Sequence, residues 1–138
     1  MRTNRDVIQR ALKLAGVKKD DLLYDLGCGN GDVLIEASKL GAECVGYEIS
    51  PYYYILSKLR TWRFKNIKVK YQNINDVILS EADIVYVYLL PEFLEKLTPK
   101  FKKELKPSAR LISIGFPIKD LESSQKIIFK NRVIFIYL

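Results

Sequence analysis

The sequence predicts one α/β domain over residues 1–138, with a mostly parallel sheet, an antiparallel hairpin at its end and helices on both faces. Two observations lead to this prediction. Short apolar segments alternate along the chain with amphipathic ones, which is the pattern of successive βα units. The last two apolar segments, 126–129 and 132–137, are separated by Lys130 and Asn131 alone, as in a β-hairpin.

Local signals set the element boundaries. A capping box of Thr3 and Asp6 opens the first helix, and Gly16 ends it. Ser50 and Pro51 open the third helix as its N-cap and first residue. The predicted helices are 1–17, 32–40, 51–64, 91–97 and 99–105, the last with Thr98 as its N-cap. The predicted strands are 22–26, 43–48, 67–71, 83–90, 109–116, 126–129 and 132–137.

Composition narrows the class of protein. The net charge of +7 is compatible with nucleic acid, an acidic protein surface or anionic lipid as partner, and equally with a Lys-rich thermophile protein. The sequence has no signal peptide and no apolar run of about 18 residues, so we expect a cytoplasmic protein without a membrane partner. Because histidine is absent, His-based triads are excluded and no metal site is expected. Cys28 and Cys44 are expected roughly 17 Å apart, beyond the reach of a disulfide.

The stretch 22–32, LLYDLGCGNGD, is predicted to join a buried strand to a helix through a glycine-rich loop. Gly27, Gly29 and Gly31 alternate with other residues, so the backbone can turn tightly and press against a ligand. A ligand held there also meets the free N–H groups at the start of the helix. The alternative is a plain tight turn with solvated acids.

The acidic residues around this loop indicate which ligand it binds. A dinucleotide fingerprint requires a third glycine at the position of Asp32, and Asp25 ends the preceding strand. Two carboxylates disfavour a pyrophosphate and suit a cation, such as an ammonium or a sulfonium group. S-adenosylmethionine carries both groups, so the sequence favours this cofactor.

Two further strand ends carry candidate contacts to a nucleoside. Glu48 ends the second strand, where an acid accepts hydrogen bonds from ribose hydroxyls, although an ordinary exposed acid is the alternative. Asn73 and Ile74 follow the third strand and are expected beside the amino group and the ring of adenine. Asn75 and Asp76 are rival candidates that would otherwise cap the next turn.

The third predicted helix carries an unusual number of aromatic residues. At helical spacing these side chains are expected in the core and at its rim, with base stacking as the alternative. This expectation concerns Tyr52, Tyr53 and Tyr54; the helix continues through Leu56, Leu59 and Trp62.

The segment Leu89-Leu90-Pro91-Glu92 leaves the central strand beside the glycine loop, so it is expected to meet the methyl group. It lacks the Asn/Asp-Pro-Pro-aromatic signature that holds a nucleobase amino group. This difference argues against methylation of adenine or cytosine amino groups.

The sequence resembles the class I, seven-stranded, Rossmann-like methyltransferases that depend on S-adenosylmethionine. The resemblance rests on YDLGCGNGD, GYE and the strand-end Asn73. More narrowly, residues 24–107 resemble the small archaeal broad-specificity protein lysine methyltransferases and the mitochondrial enzymes that methylate the ATP synthase c subunit. The narrower cues are EISP at 48–51, SKLRTWR at 57–63, YLLP at 88–91 and KELKP at 103–107.

The resemblance implies a role for each matching residue. Asp25 and the loop glycines would hold the methionine part, Glu48 the ribose, and Asn73 with Ile74 the adenine. The segment from Tyr88 to Pro91 would line the channel for an acceptor lysine. The residues expected to contact the cofactor are Tyr24, Asp25, Leu26, Gly27, Cys28, Gly29, Asn30, Gly31, Asp32, Glu48, Ile49, Asn73, Ile74 and Tyr88. The channel residues are Tyr88, Leu89, Leu90 and Pro91.

The implied reaction is an in-line displacement by an uncharged lysine amine. A cationic sulfonium and an apolar channel both lower the pKa of a lysine, so no dedicated base is required. Glu92 is a candidate base whose alternative role is charge pairing at a helix N-terminus. The partner expected is therefore a protein that offers a lysine. The alternatives are an enzyme acting on RNA or a small molecule, and a cofactor-binding domain without activity.

The sequence differs from the family at the N-terminus. The family usually begins with an aromatic- and proline-rich segment before the first helix, whereas this sequence begins almost directly with Arg2-Thr3-Asn4. We expect this difference to affect turnover and acceptor choice more than cofactor binding.

Overall fold

The structure is a computed structural model that describes residues 4–138. Within these residues the strands form one seven-stranded sheet in the order β3-β2-β1-β4-β5-β7-β6, in which β7 runs opposite to the other six strands. The strands are β1 (Leu22–Leu26), β2 (Glu43–Glu48), β3 (Ile67–Tyr71), β4 (Ile84–Val87), β5 (Arg110–Ile114), β6 (Gln125–Phe129) and β7 (Arg132–Tyr137). The helices are α1 (Arg5–Leu14), α2 (Asp32–Lys39), α3 (Pro51–Thr61) and α4 (Pro91–Glu104).

Helices cover both faces of the sheet, and each face has its own apolar layer. Buried side chains of α1 and α2, such as Ile8 and Leu34, pack on one face. Buried side chains of α4, such as Leu97 and Phe101, pack on the other. The predicted fold class is therefore confirmed.

The order of the strands places a crevice at the centre of the sheet. From β1 the chain moves outward to β2 and β3, then returns to β4 on the other side of β1. At such a reversal the two connections diverge from the carboxyl ends of neighbouring strands and leave room for a ligand. The glycine-rich loop follows β1 and therefore lies at this crevice.

The first helix is shorter than the predicted 1–17. It begins at Arg5, with Asn4 as N-cap accepting a hydrogen bond from the Asp6 amide, and it ends at Leu14. Gly16 follows with a φ of 68°, as expected for a glycine that ends a helix. The predicted capping residue Thr3 lies outside the described residues.

The central strand and its neighbour are also shorter than predicted. The strand predicted over 83–90 covers Ile84–Val87, and the strand predicted over 109–116 covers Arg110–Ile114. The pairing between them ends at Val87 and Ser113, and the chain turns away at Gly115 with a φ of 87°. Tyr88, which follows the end of this pairing, borders the crevice.

The prediction of two short helices after the central strand is wrong. One helix, α4, runs from Pro91 to Glu104 with Pro99 inside it. Its buried side chains, including Leu94 before the proline and Phe101 after it, form one continuous face that packs on the sheet. Thr98 is not an N-cap, since its hydroxyl donates to the Leu94 carbonyl at 2.8 Å.

The prediction that the tyrosines of α3 lie in the core and at its rim is wrong for Tyr52 and Tyr53, which are 68% and 44% exposed. Tyr54 is partly buried and packs at the rim of the core, and the buried residues of α3 are Ser57 and Thr61. The helix ends at Thr61 rather than near residue 64.

The hairpin predicted at the end of the chain is present. Lys130 and Asn131 connect β6 and β7 with φ values of 48° and 64°, the positive angles of a tight hairpin turn. Within residues 4–138, every helix is too short or too polar to cross a membrane.

Candidate functional site

A cavity of about 670 Å³ lies at the carboxyl ends of β1, β2 and β4. This volume is within the range of small-molecule sites. The sequence-predicted site residues that line it are Asp25, Gly27, Cys28, Gly29, Asn30, Asp32, Glu48 and Tyr88. The structure therefore brings the glycine loop, the strand-end acids and one channel residue to the same cavity.

The glycine loop has the backbone conformation that its sequence predicts. Gly27, Gly29 and Gly31 have φ values of 81°, 53° and 89°, which other residues rarely adopt. Gly31 also lies under α3, because a Cβ on it would be 3.2 Å from the methyl group of Thr61 and 3.5 Å from Cβ of Ser57. The small residues Ser57 and Thr61 of α3 therefore face the loop.

Three backbone N–H groups hold the Glu48 carboxylate at the cavity. Oε1 accepts a hydrogen bond from Gly29 at 2.8 Å, and Oε2 accepts from Ile49 and Ser50 at 3.1 and 3.0 Å. These bonds fix the orientation of the carboxylate. They leave acceptor capacity mainly on Oε1, since each carboxylate oxygen accepts about two hydrogen bonds.

Asp25 is a buried carboxyl group at the bottom of the cavity. It is 3% exposed, and burial and the charge of Glu48, with no hydrogen bond within residues 4–138, are the influences on its carboxyl group. Burial, together with the charge of Glu48, raises the pKa of Asp25 from 3.8 to about 8. The carboxyl group is thus mostly protonated at neutral pH and ready to ionise when a cation arrives.

Tyr86 is a cavity residue that sequence reasoning missed. It lies opposite Asp25 in the pairing of β4 with β1, so both side chains are on the same face of the sheet. Its side chain is 1% exposed, and its hydroxyl group has no hydrogen-bond partner within the described residues. A buried hydroxyl without a partner costs free energy, so this group is suited to a polar ligand atom. Because 83–90 is a continuous apolar run, nothing in the sequence signals this role.

Asp32 differs electrostatically from Asp25. Its Oδ1 forms an ion pair with Arg60 at 2.8 Å, and the same guanidinium donates to the Asn30 carbonyl at 2.8 Å. Because this cation already balances Asp32, any attraction for a cationic ligand comes mainly from Asp25 and Glu48. Cys28 is also buried, which raises the pKa of its thiol and keeps it neutral.

Several predicted contact residues do not line the cavity. Tyr24 and Leu26 alternate with Asp25 along β1, so their side chains pack in the apolar layer of the opposite face. Ile49 is 57% exposed and points away from the core. Gly31 is covered by α3.

The two residues predicted for adenine are also outside the cavity lining. Asn73 is exposed, and its Oδ1 accepts a hydrogen bond from the Asn75 amide at 2.9 Å. It thereby caps the short turn Ile74–Asp76, the role that the sequence had suggested for its rivals. Ile74 packs against the apolar layer of the α4 face. Tyr53 and Leu56 of α3 line the cavity instead.

The predicted acceptor segment borders the glycine loop. Tyr88 lines the cavity, and Leu89 lies 3.6 Å from the position that a Cβ of Gly27 would occupy. Leu90 and Pro91 begin α4, and Glu92 is exposed in its first turn. Glu92 therefore has the helix N-terminal position that was its alternative role.

A second cavity of about 950 Å³ lies on the other side of Asp32, between α2 and the β6–β7 turn. Its lining is mainly charged, and the carboxylate of Glu36 there is paired with Arg5 and Lys39. It contains none of the loop glycines. The first cavity is therefore the candidate site.

Comparison with known proteins adds an independent finding. A sequence model described as the ANTKMT methyltransferase domain matches residues 25–125. A protein-lysine N-methyltransferase of Saccharolobus islandicus is 34% identical, and the match covers 99% of this chain and 90% of that protein. The human lysine N-methyltransferase of the ATP synthase c subunit is 30% identical, over 80% of this chain and 48% of that protein. The chain thus spans almost the whole archaeal protein and about half of the human one.

A solved structure matches the whole fold. It is the crystal structure of an RNA methyltransferase from Salinibacter ruber in complex with S-adenosyl-L-homocysteine, with a TM-score of 0.95 and 28% sequence identity. The match covers 99% of this chain and 92% of that one. The fold of this chain is therefore similar to that of a protein whose crystal structure contains S-adenosyl-L-homocysteine.

Proposed function

This chain belongs to the family of ANTKMT methyltransferase domains, and we propose that it transfers a methyl group from S-adenosylmethionine to lysine side chains of proteins. Membership in the S-adenosylmethionine-dependent methyltransferases, expected from the sequence, is confirmed. Lysine as acceptor is supported by the archaeal relative, which is similar over nearly its entire length.

The residues of the cavity fit this cofactor, and one observation carries that conclusion. Asp25 and Tyr86 are two buried polar groups that face the same cavity and lack partners within residues 4–138. An ammonium group would pair with the Asp25 carboxylate, and a carboxylate would accept a hydrogen bond from the Tyr86 hydroxyl. An amino acid end carries both groups, as the methionine part of S-adenosylmethionine does.

The remaining roles follow the shape of the cavity. The loop around Gly29 leaves open space where a side chain would stand, since no atom lies within 4 Å of a Cβ built there. Glu48, with acceptor capacity left on Oε1, would accept from a ribose hydroxyl. Tyr53 and Leu56 are the cavity residues with a flat or apolar side chain at the α3 end, where the adenine ring would lie. The adenine contacts of Asn73 and Ile74 stay predictions.

The acceptor would enter beside Tyr88 and Leu89. When bound, S-adenosylmethionine supplies a methyl group on a positively charged sulfur, which an uncharged amine can displace. The chain would contribute alignment at the end of β4 and a partly apolar entrance that disfavours the charged form of a lysine. Since Glu92 is exposed outside the cavity, the lysine proton would leave to solvent without a dedicated base.

Two finer expectations belong to this proposal. A cytoplasmic location is supported by the two free cysteines, Cys28 and Cys44, which are typical of a reducing compartment. A thermophilic source is supported by the Lys-rich composition and the Saccharolobus relative.

Transfer of labelled methyl tests the proposal. The purified protein is incubated with S-adenosylmethionine labelled in the methyl group and a cell extract, and the product is divided between protease and nuclease. Label that protease alone releases, and that amino acid analysis identifies as methyl-lysine, is expected. The matched control is the variant Glu48→Gln, which should bind S-adenosylmethionine more weakly and should therefore transfer less label. Label that nuclease releases would favour RNA, the acceptor named for the Salinibacter protein, and would overturn the lysine assignment.

A further inference from the structure

The outer face of α3 is apolar, although it is exposed. Tyr52, Ile55, Leu59 and Trp62 are 68%, 57%, 65% and 74% exposed. Their spacing of three, four and three residues places them in one stripe along the helix. We call these four residues the α3 crest.

The crest inverts the usual amphipathic pattern. A surface helix normally buries its apolar stripe and exposes polar residues, whereas α3 buries Ser57 and Thr61. The close approach to Gly31 explains the small inner residues, but it does not explain four large apolar residues outside. A contiguous apolar patch on a surface usually marks an interaction site.

The surroundings of the crest carry one sign of charge. The segment 49–71 contains six cationic residues and no acidic residue. The cations are Lys58, Arg60, Arg63, Lys65, Lys68 and Lys70. Only Arg60 forms an ion pair within residues 4–138, with Asp32. A partner that covers the crest must therefore combine apolar and anionic groups.

We propose that the α3 crest binds an acidic amphipathic helix of the protein to be methylated. This inference rests on the proposed function, because methylation of protein lysines requires a protein partner. The crest is about 15 Å long at 1.5 Å per residue, which matches roughly three turns of a partner helix. Leu and Glu side chains on such a helix would meet the crest and the cations beside it.

Other occupants fit the crest less well. A second copy of this chain would bring the same uncompensated cations together. A single-stranded nucleic acid would stack on aromatic rings, but Ile55 and Leu59, in the middle of the crest, are aliphatic. An anionic bilayer would fit the charge, but the proposed activity does not require one.

One end of the α3 crest lies at the candidate cofactor cavity. Tyr52 is the first crest residue and also lines the candidate cofactor cavity. A helix bound along the crest would therefore have one end beside the cavity. The crest would hold the substrate protein, while the segment at Tyr88 would receive its lysine.

The fluorescence of Trp62 reports directly on this surface, because it is the only tryptophan of the chain. The probe is a synthetic acidic amphipathic helix of about 18 residues, rich in Leu and Glu and free of aromatic residues. The result expected is a saturable blue shift of the Trp62 emission. Two comparison peptides are used: one with Lys in place of Glu, and one with the same composition but no amphipathic order. Neither should produce the shift at the same concentration.

Matched variants localise the binding. Ile55→Gln combined with Leu59→Gln should weaken the affinity for the acidic helix by at least about tenfold. The control combines Ile78→Gln with Ile128→Gln, which removes two side chains exposed to 70% and 72% elsewhere on the surface. This control should bind as the unmodified chain does. Neither pair lines the cofactor cavity, so affinity for S-adenosylmethionine should be unchanged in both.

Three results would overturn the proposal. One is absence of a shift with the acidic helix. Another is a shift with vesicles of phosphatidylglycerol or with oligouridylate at concentrations where the helix gives none. The third is a Trp62 emission that shifts with protein concentration alone, which would indicate self-association. Because the titration requires neither cofactor nor turnover, its failure is distinguishable from failure of the proposed activity, which the methyl-labelling experiment measures.

Discussion

Replacing Asp25 by asparagine separates the charge of this buried group from its size. In the free protein, burial and the charge of Glu48 raise the pKa of Asp25 to about 8, so the group is mostly protonated at pH 7. Binding of a cation favours the carboxylate, and the proton is then released to solvent. An asparagine side chain cannot ionise, so the variant Asp25→Asn should bind the cofactor more weakly and without proton release.

The same shift in pKa predicts a change in stability with pH. The folded-state value lies above the ordinary value of 3.8, so the stabilising contribution is complete below pH 3.8 and is lost as the pH rises towards 8. About three pH units separate 3.8 from pH 7, and each is worth about 1.4 kcal/mol. Between pH 3.8 and pH 7, the free energy of unfolding should therefore fall by about 4 kcal/mol more in the unmodified protein than in Asp25→Asn.

Two assays measure these effects. Urea unfolding of both proteins between pH 4 and pH 8 gives the difference in stability. Calorimetric titration with S-adenosylmethionine between pH 6 and pH 7.5, in buffers with different heats of ionisation, counts released protons. In this range the ligand amine stays mostly charged, and the affinity of the unmodified protein should rise by up to about tenfold per pH unit. Parallel stability curves, or pH-independent affinity without proton release, would refute the reasoning.

Three other variants test separate parts of the site. Tyr86→Phe removes a buried hydroxyl without a partner, so thermal unfolding should show unchanged or higher stability while calorimetry shows cofactor affinity about 1 kcal/mol weaker. Glu48→Gln should weaken binding of S-adenosylmethionine and of 5′-methylthioadenosine alike, whereas Asp25→Asn should weaken binding of S-adenosylmethionine only. If both variants lost affinity for both ligands equally, the assignment of Glu48 to the ribose and of Asp25 to the amino acid end would be contradicted. Gly31→Ala places a Cβ 3.2 Å from Thr61 at a φ of 89° and should lower the free energy of unfolding by about 1–3 kcal/mol in urea titrations.

The parts of the fold that local signals determine were predictable. The glycine loop, the strands Leu22–Leu26 and Glu43–Glu48, and the turn at Lys130 and Asn131 all occur where the sequence places them. Each depends on a short pattern: alternating glycines, an apolar run with turn residues at its ends, or two residues that tolerate positive φ. The α/β class followed from the alternation of such patterns.

The parts that depend on packing were not predictable in the same way. Pro99 normally ends a helix, but the buried side chains before and after it keep α4 continuous. The tyrosines of α3 resemble a core stripe, but Gly31 allows only small residues on the inner face. In both places a contact that is distant in sequence overrides the local pattern.

The candidate site shows the same division. Asp25 and Glu48 were predictable because both acids lie at the carboxyl end of a parallel strand, the edge of the sheet at which the crevice opens. Tyr86 was not, because an apolar run does not reveal which of its residues faces a cavity. Tyr24 alternates with Asp25, so its side chain faces the other side of the sheet, and its predicted cofactor contact stays a prediction.

A crystal structure of this protein grown with S-adenosyl-L-homocysteine tests the binding site most directly. We predict density for the nucleoside in the 670 Å³ cavity, with its ribose at Glu48 and its amino acid end between Asp25 and Tyr86. Density for the ligand in the neighbouring 950 Å³ cavity, or a first cavity that stays closed to it at saturating concentration, would contradict the account.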